Sequence, residues 1–229
     1  MRYGEADRIL HLYTPHRGRV SAIAKGVRKA KSRFGGRLEP FFRLEAVLYE
    51  GRSDLLTVTT VSTVAAHPRL REHALALDSA ARSCDAVGRL FATDDPHPEV
   101  YNLLANELAL LDGDPTGQAT AQNALAFRLK LLVAAGFAPQ LSACASCGEQ
   151  DHLVGFSGAA GGVVCTACEA GSFAMDQDTH DFLVAALGRP LAEAPAAPAR
   201  ALAQAERAVR EMAEHHAAVR LGAIGSRAS

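Results

Sequence analysis

A chain of 229 residues exceeds the usual size of one compact unit and predicts two domains, or one domain with a small insert. Hydrophobic residues at 48% and charged residues at 21% suit a globular protein with a real core and exclude wholesale disorder. The net charge of -1 conceals a split, twelve Lys/Arg against six Asp/Glu in residues 1–66 and twelve against nineteen in 67–229, which points to a polyanion partner for the front part, nucleic acid ahead of an anionic membrane surface.

Taken in chain order, RILHLYT, RVSAIAK, RLEAVLYE and DLLTVTTVSTV are short apolar runs separated by PHRG, a basic stretch and GRS, and they read as strands. Val20, Ala22 and Ala24 alternate with Ser21, Ile23 and Lys25, and Leu44, Ala46 and Leu48 alternate with Glu45, Val47 and Tyr49. Period two suits a half-buried sheet. Several short strands in so few residues predict a small barrel, because closure removes edges that would otherwise aggregate, and an oligonucleotide-binding (OB) barrel fits the size.

Between the second and third runs lies KGVRKAKSRFGGRLEP, where Lys25, Arg28, Lys29, Lys31, Arg33 and Arg37 are opposed only by Glu39. A connection this long inside a compact barrel is functional or disordered. With Arg17 and Arg19 before it, the stretch is suited to track a phosphate backbone by counterion release, and the plain alternative is a solvated basic face. Phe34 is either a stacking face for a base or a core residue.

Beyond His67 and Pro68 the period becomes helical. Helices are predicted over 70–91, 98–111, about 119–135, about 179–187 and about 199–221, with EAPAAPA as a linker before the last. Cys84 falls in a helical apolar pattern and reads as packing.

The sharpest local signal is CASC followed by CTAC. Cys144 and Cys147, then Cys165 and Cys168, form two knuckles separated by seventeen residues. Each spacing lets two thiolates face one ion, and the interval suits a hairpin that completes a tetrahedron. Zinc is the expected metal. Four sulfurs leave no position for a reacting water, so the site reads as structural, with free thiols or an iron–sulfur cluster as alternatives.

No catalytic constellation stands out. Lys31-Ser32 lacks the glycines of a phosphate loop, GFSGA has Ala159 where a nucleophile elbow needs glycine, and His215 and His216 lack a metal-protease arrangement. MRYGEADRIL lacks the apolar run of a signal peptide. The longest apolar run, near 131–138, is about half of a membrane span. The chain reads as cytosolic, which favours metal ligation over disulfides for its cysteines.

The succession YGEADRIL, YTPHRGRVSAIAKGVRKAKSRFGGRLEPF, YEGRSDLLTV and then helices carrying CASC and CTAC resembles the RecO family of bacterial DNA repair proteins over nearly the whole chain. The resemblance implies an α+β fold: an OB barrel (1–66), a helical domain in two parts (67–140 and 174–229) and an inserted four-cysteine zinc finger (141–173). It implies a mediator without enzymatic turnover, cytoplasmic and nucleoid-associated, that binds single- and double-stranded DNA and anneals complementary strands. Such a mediator works with RecR and single-strand-binding protein to help load RecA. It assigns phosphate contacts to Arg17, Arg19, Lys25, Arg28, Lys29, Lys31, Arg33 and Arg37, and structural zinc to Cys144, Cys147, Cys165 and Cys168. The acidic tail of single-strand-binding protein is expected in an apolar pocket with a basic rim near Arg128 and Lys130. The family carries an apolar strand ahead of its YGEAD-like phrase, so the barrel here would lack its first strand: either the start codon is placed late or the barrel is open at that edge. A zinc-dependent nucleic-acid-processing enzyme and a zinc-ribbon transcription factor are the competing readings.

Overall fold

The structure, a computed structural model, describes residues 2–3, 6–27, 32–51 and 55–224. Its front part is one sheet of five strands, β1 (Arg2–Tyr3), β2 (Asp7–Thr14), β3 (Gly18–Ala24), β4 (Arg43–Tyr49) and β5 (Leu56–Ala65), in the order β1-β2-β3-β5-β4. Neighbours are antiparallel except β3 and β5, which run parallel. The end strands β1 and β4 are not paired with each other in this order, and β1 meets only Asp7 and Arg8. Among the described residues the sheet is therefore an unclosed barrel.

Alternation along β3 builds the core of the sheet. Val20, Ala22 and Ala24 are buried with Leu56, Val58 and Val61 of β5, and the long loop after β3 lays Phe34 and Leu38 on top of them. Phe34 is only 2% exposed, so of its two readings the core one holds. Burying a phenyl ring of this size stabilises by roughly 2–3 kcal/mol.

The sheet is joined to the helices through the β2–β3 turn. Gly18 has φ +49, and a side chain there would overlap the main chain of residues 93–95. Without one, the Arg19 N–H reaches the Thr93 carbonyl at 3.0 Å and the Arg19 guanidinium donates to the Gly88 carbonyl at 3.3 Å. A cation at the last turn of a helix suits its exposed carbonyls.

The rear part packs α1 (Pro68–Glu72), α2 (Ala74–Leu90), α3 (Pro98–Gly113), α4 (Ala121–Ala134), α5 (Gln177–Gly188) and α6 (Ala199–His216). The helix anticipated over 70–91 is broken at His73, although no glycine or proline stands there. The end of α3 holds α1 in place: Asp112 accepts from the Leu70 N–H at 3.0 Å, and Arg69 donates to the Gly113 carbonyl at 2.6 Å. Thr120 caps α4 and Asp176 caps α5, each accepting a main-chain N–H with its side chain. Residues 123–129, 131 and 132 of α4 are buried, the mark of a central helix covered on all sides.

The cysteine segment is a hairpin, β6 (Leu153–Ser157) and β7 (Gly162–Cys165), completed by β8 (Phe173–Ala174). Phe156, Val163 and Phe173 belong to the same buried cluster as α4, α5 and α6. The insert is therefore packed into the helical core. The last helix, anticipated to 221, ends at His216; Ala218 turns left-handed (φ 54) and residues 217–224 run on without regular structure.

Candidate nucleic-acid interface and candidate metal centre

A groove of about 450 Å³ runs along β5, lined by Arg33, Phe34, Arg37 and residues 59–63. β5 meets β3 only at Leu56 and Thr57, so beyond that point the loop after β3 forms the opposite wall. Both guanidinium heads are held by one main-chain carbonyl each. Arg33 donates to the Val58 carbonyl at 2.9 Å and lies 4.8 Å from the centroid of the Phe34 ring. Arg37 donates to the Phe34 carbonyl at 3.4 Å. Two exposed guanidiniums thus stand over a strand whose sequence is Thr59-Thr60-Val61-Ser62-Thr63. Thr59 donates to the Val47 carbonyl and Ser62 to Glu45, while Thr60 and Thr63 are exposed. The hydroxyl run was missed in the sequence; its signal was the TVTTVSTV alternation, in which β-branched residues also carry donors.

The other basic residues lie elsewhere. Arg17 is exposed in the β2–β3 turn, 4.0 Å from Glu50, and Lys25 is exposed at the end of β3. Arg19 is half-buried and engaged with α2, as described above. Arg28, Lys29 and Lys31 lie outside the described residues.

Arg128 and Lys130 do not rim a surface pocket, which corrects the placement anticipated from sequence. Arg128 is 3% exposed and donates to the Gly222 carbonyl at 2.7 Å. Lys130 is part-buried and donates to the Leu187 carbonyl at 3.1 Å. Burial lowers the pKa of both. The cause is the all-round cover of α4, which no single helical segment reveals.

The four cysteine sulfurs converge, all within 4.8 Å of one another. Zinc–sulfur bonds of about 2.3 Å in a tetrahedron place sulfurs about 3.8 Å apart, and Cys147 and Cys165 are 3.7 Å apart. Donor type and spacing therefore fit a tetrahedral thiolate centre. Local main chain builds it. The Gly148 N–H bonds the Cys144 carbonyl at 2.8 Å and the Cys144 N–H bonds the Glu149 carbonyl at 2.7 Å, with Gly148 at φ +81 making the turn. The second pair rides the end of β7 and a short 3-10 turn, Thr166–Cys168. The Cys165 main-chain N–H, with those of Cys147 and Ser146, draws the Cys144 thiol down to about 6. Hydrogen bonding among the crowded sulfurs, first with Cys147 and Cys165, pushes Cys168 up to about 12. Four sulfurs this close ionise together only beside a cation.

Cys84 is not part of this cluster; burial, aided by Glu107, pushes its thiol up to about 12, which makes it inert packing. No helix among the described residues is long and apolar enough to cross a membrane.

The chain matches the family models described as recombination protein O N terminal over residues 1–67 and recombination protein O C terminal over residues 74–223. Similar proteins include the DNA repair protein RecO of Rubrobacter xylanophilus, 39% identical over 215 residues that cover 91% of this chain and 84% of that one. RecO of Anaeromyxobacter dehalogenans is 37% identical over 229 residues, covering 96% and 89%. RecO of Geobacter sulfurreducens is 36% identical over 192 residues, covering 82% and 76%.

Proposed function

The chain belongs to the RecO family, and on that premise we propose that it is a DNA repair and recombination mediator acting in the cytoplasm at the nucleoid. It binds single- and double-stranded DNA, anneals complementary strands and, with RecR, helps load RecA onto strands coated by single-strand-binding protein. Residues 1–66 form the DNA-binding unit, residues 67–140 and 174–229 the helical body, and residues 141–173 the zinc-bearing insert.

The observation that carries this reading is the β5 groove. Arg33 and Arg37 stand over a strand of hydroxyls at the front of a chain whose positive charge is concentrated there. Guanidiniums and hydroxyls are the groups that hold phosphate oxygens. Arg17, Lys25, Arg28, Lys29 and Lys31 extend the cationic track, and Arg19 contributes field from the sheet–helix joint. Zinc held by Cys144, Cys147, Cys165 and Cys168 would supply a fixed crosslink between the two knuckles. Four sulfur ligands close a tetrahedral site to water, which favours a structural role over the reading of a zinc-dependent enzyme.

Salt tests the interface. Log affinity for single strands should fall linearly with log salt, at a slope of about 0.7 per contacted phosphate. The double variant Arg33→Ala/Arg37→Ala should weaken all sequences alike and reduce the slope by roughly 1.4. Affinity independent of salt would reject the proposal.

A further inference from the structure

We infer that the β5 groove takes the sugar–phosphate backbone of a single strand and leaves its bases facing solvent, unstacked from the protein. This deepens the reading of the groove as a nucleic-acid interface and rests on it.

Strand-tolerant binders ordinarily pair a cationic groove with aromatic rings on which bases stack. Here the cations are present, and among the described residues no ring in the groove has a free face. Residues 1–66 contain six aromatic side chains, Tyr3, Tyr13, Phe34, Phe41, Phe42 and Tyr49. Phe34 touches the groove, but it is 2% exposed and Arg33 lies across its ring. Tyr13 packs against the helical core with its hydroxyl buried. Phe41 packs against the cluster of α1, α2 and α3, and Phe42 lies beneath Arg71 at 4.6 Å. Tyr49 is 63% exposed, but it projects from the edge strand β4 and does not line the groove. The Tyr3 side chain is outside the described residues. Among the described residues, therefore, the groove offers phosphates two guanidiniums and the exposed hydroxyls of Thr60 and Thr63, and offers a base no free aromatic face.

This division has a functional consequence. A strand gripped by its backbone keeps its Watson–Crick edges available, so a complement can pair before the protein lets go. Holding by phosphate alone also makes affinity indifferent to sequence.

The test compares two fluorescently labelled 20-mers of equal charge by anisotropy at one salt concentration: an ordinary mixed sequence, and a strand whose positions are tetrahydrofuran abasic sites. The expected result is affinities within about threefold of each other, with Tyr49→Ala leaving both unchanged and Arg37→Ala weakening both by the same factor. A second readout needs no variant. 2-Aminopurine within the bound strand should stay open to acrylamide, its quenching constant close to that of the free strand. A tenfold or greater loss for the abasic strand, or shielding of 2-aminopurine, would overturn the inference while leaving DNA binding intact. Failure of both strands to bind would overturn the proposed function itself.

Discussion

Glu107 of α3 has no solvent exposure at all, and among the described residues no cation is paired with its carboxylate. From α2 the Ser83 hydroxyl donates to it at 3.4 Å, and from α4 the Asn123 amide donates at 2.9 Å. Burial raises its pKa to about 7 from 4.5, against the opposing pull of those two hydrogen bonds. Below pH 4.5 both folded and unfolded chains hold the proton and nothing is lost. Between 4.5 and 7 the unfolded chain ionises while the native one stays neutral, so stability falls as pH rises. Above 7 the loss levels off. A shift of this size corresponds to about 3 kcal/mol at the plateau. Glu107→Gln keeps the shape, cannot ionise and has the partnerless Asn123 Oδ1 as a neighbouring acceptor. The variant should gain on the parent by about 1 kcal/mol at pH 5.5 and about 3 kcal/mol at pH 8. Urea unfolding of both proteins across that range measures the difference, and other titrating groups cancel in the subtraction. A gap that does not change with pH would refute the assignment of a buried neutral carboxyl.

Three other outcomes follow from the packing. Stripping the metal with a chelator, or Cys165→Ser, should lower the melting midpoint by roughly 10–20 °C, taking about 5 kcal/mol as the share of metal binding energy lost. The helical transition itself should move, because Phe156, Val163 and Phe173 share its core; a calorimetric scan in which the helical transition stays put would count against that. Arg128→Ala should destabilise by about 2–4 kcal/mol and speed amide exchange across 217–224, since the Gly222 carbonyl loses its buried donor. Gly162→Ala should destabilise by about 3 kcal/mol and weaken metal binding, because a side chain there would overlap the main chain of Gln140. That chain segment exchanges hydrogen bonds with Gly161 and Val163 beside the cysteines.

Much of this architecture was readable from local pattern. Val20, Ala22 and Ala24 all lie in the core of the sheet, as period two requires, and the two Cys-x-x-Cys knuckles meet because the glycines between them permit the hairpin. The misreadings have tertiary causes. The break at His73 comes from Asp112 and Gly113, forty residues away in the chain and silent in any window. Arg128 looked like a surface cation because nothing in α4 announces that α2, α6 and the terminal strap all surround it. The early end of α6 has the same origin: the left-handed Ala218 lets the strap turn back, seat Leu221 in the core and bring carbonyls to Arg128 and Arg82. Phe34 could not be decided from sequence, since a ring in a basic loop suits stacking and core alike; the apolar floor of β3 and β5 decides it.

The charge division gains meaning once the two centres are placed. Residues 141–173 hold Glu149, Asp151 and Glu169 and no Lys or Arg. A cysteine insert that bound DNA would be expected to present cations, whereas this one carries three acids and no Lys or Arg. Under the proposed function its field repels the polyanion that the front sheet attracts, so a strand is steered to the β5 groove and kept off the helical body. A bound metal would then act on DNA binding only through the fold: it would rigidify the hairpin, the hairpin completes the core of α4, α5 and α6, and that body carries the α2–α3 connection against which Gly18 and Arg19 set the sheet. Demetallation should accordingly weaken DNA binding no more than it unfolds the protein. A metal-free protein that remains folded should keep the affinity and salt slope of the parent, and a changed slope in such material would show that the zinc module touches phosphate after all.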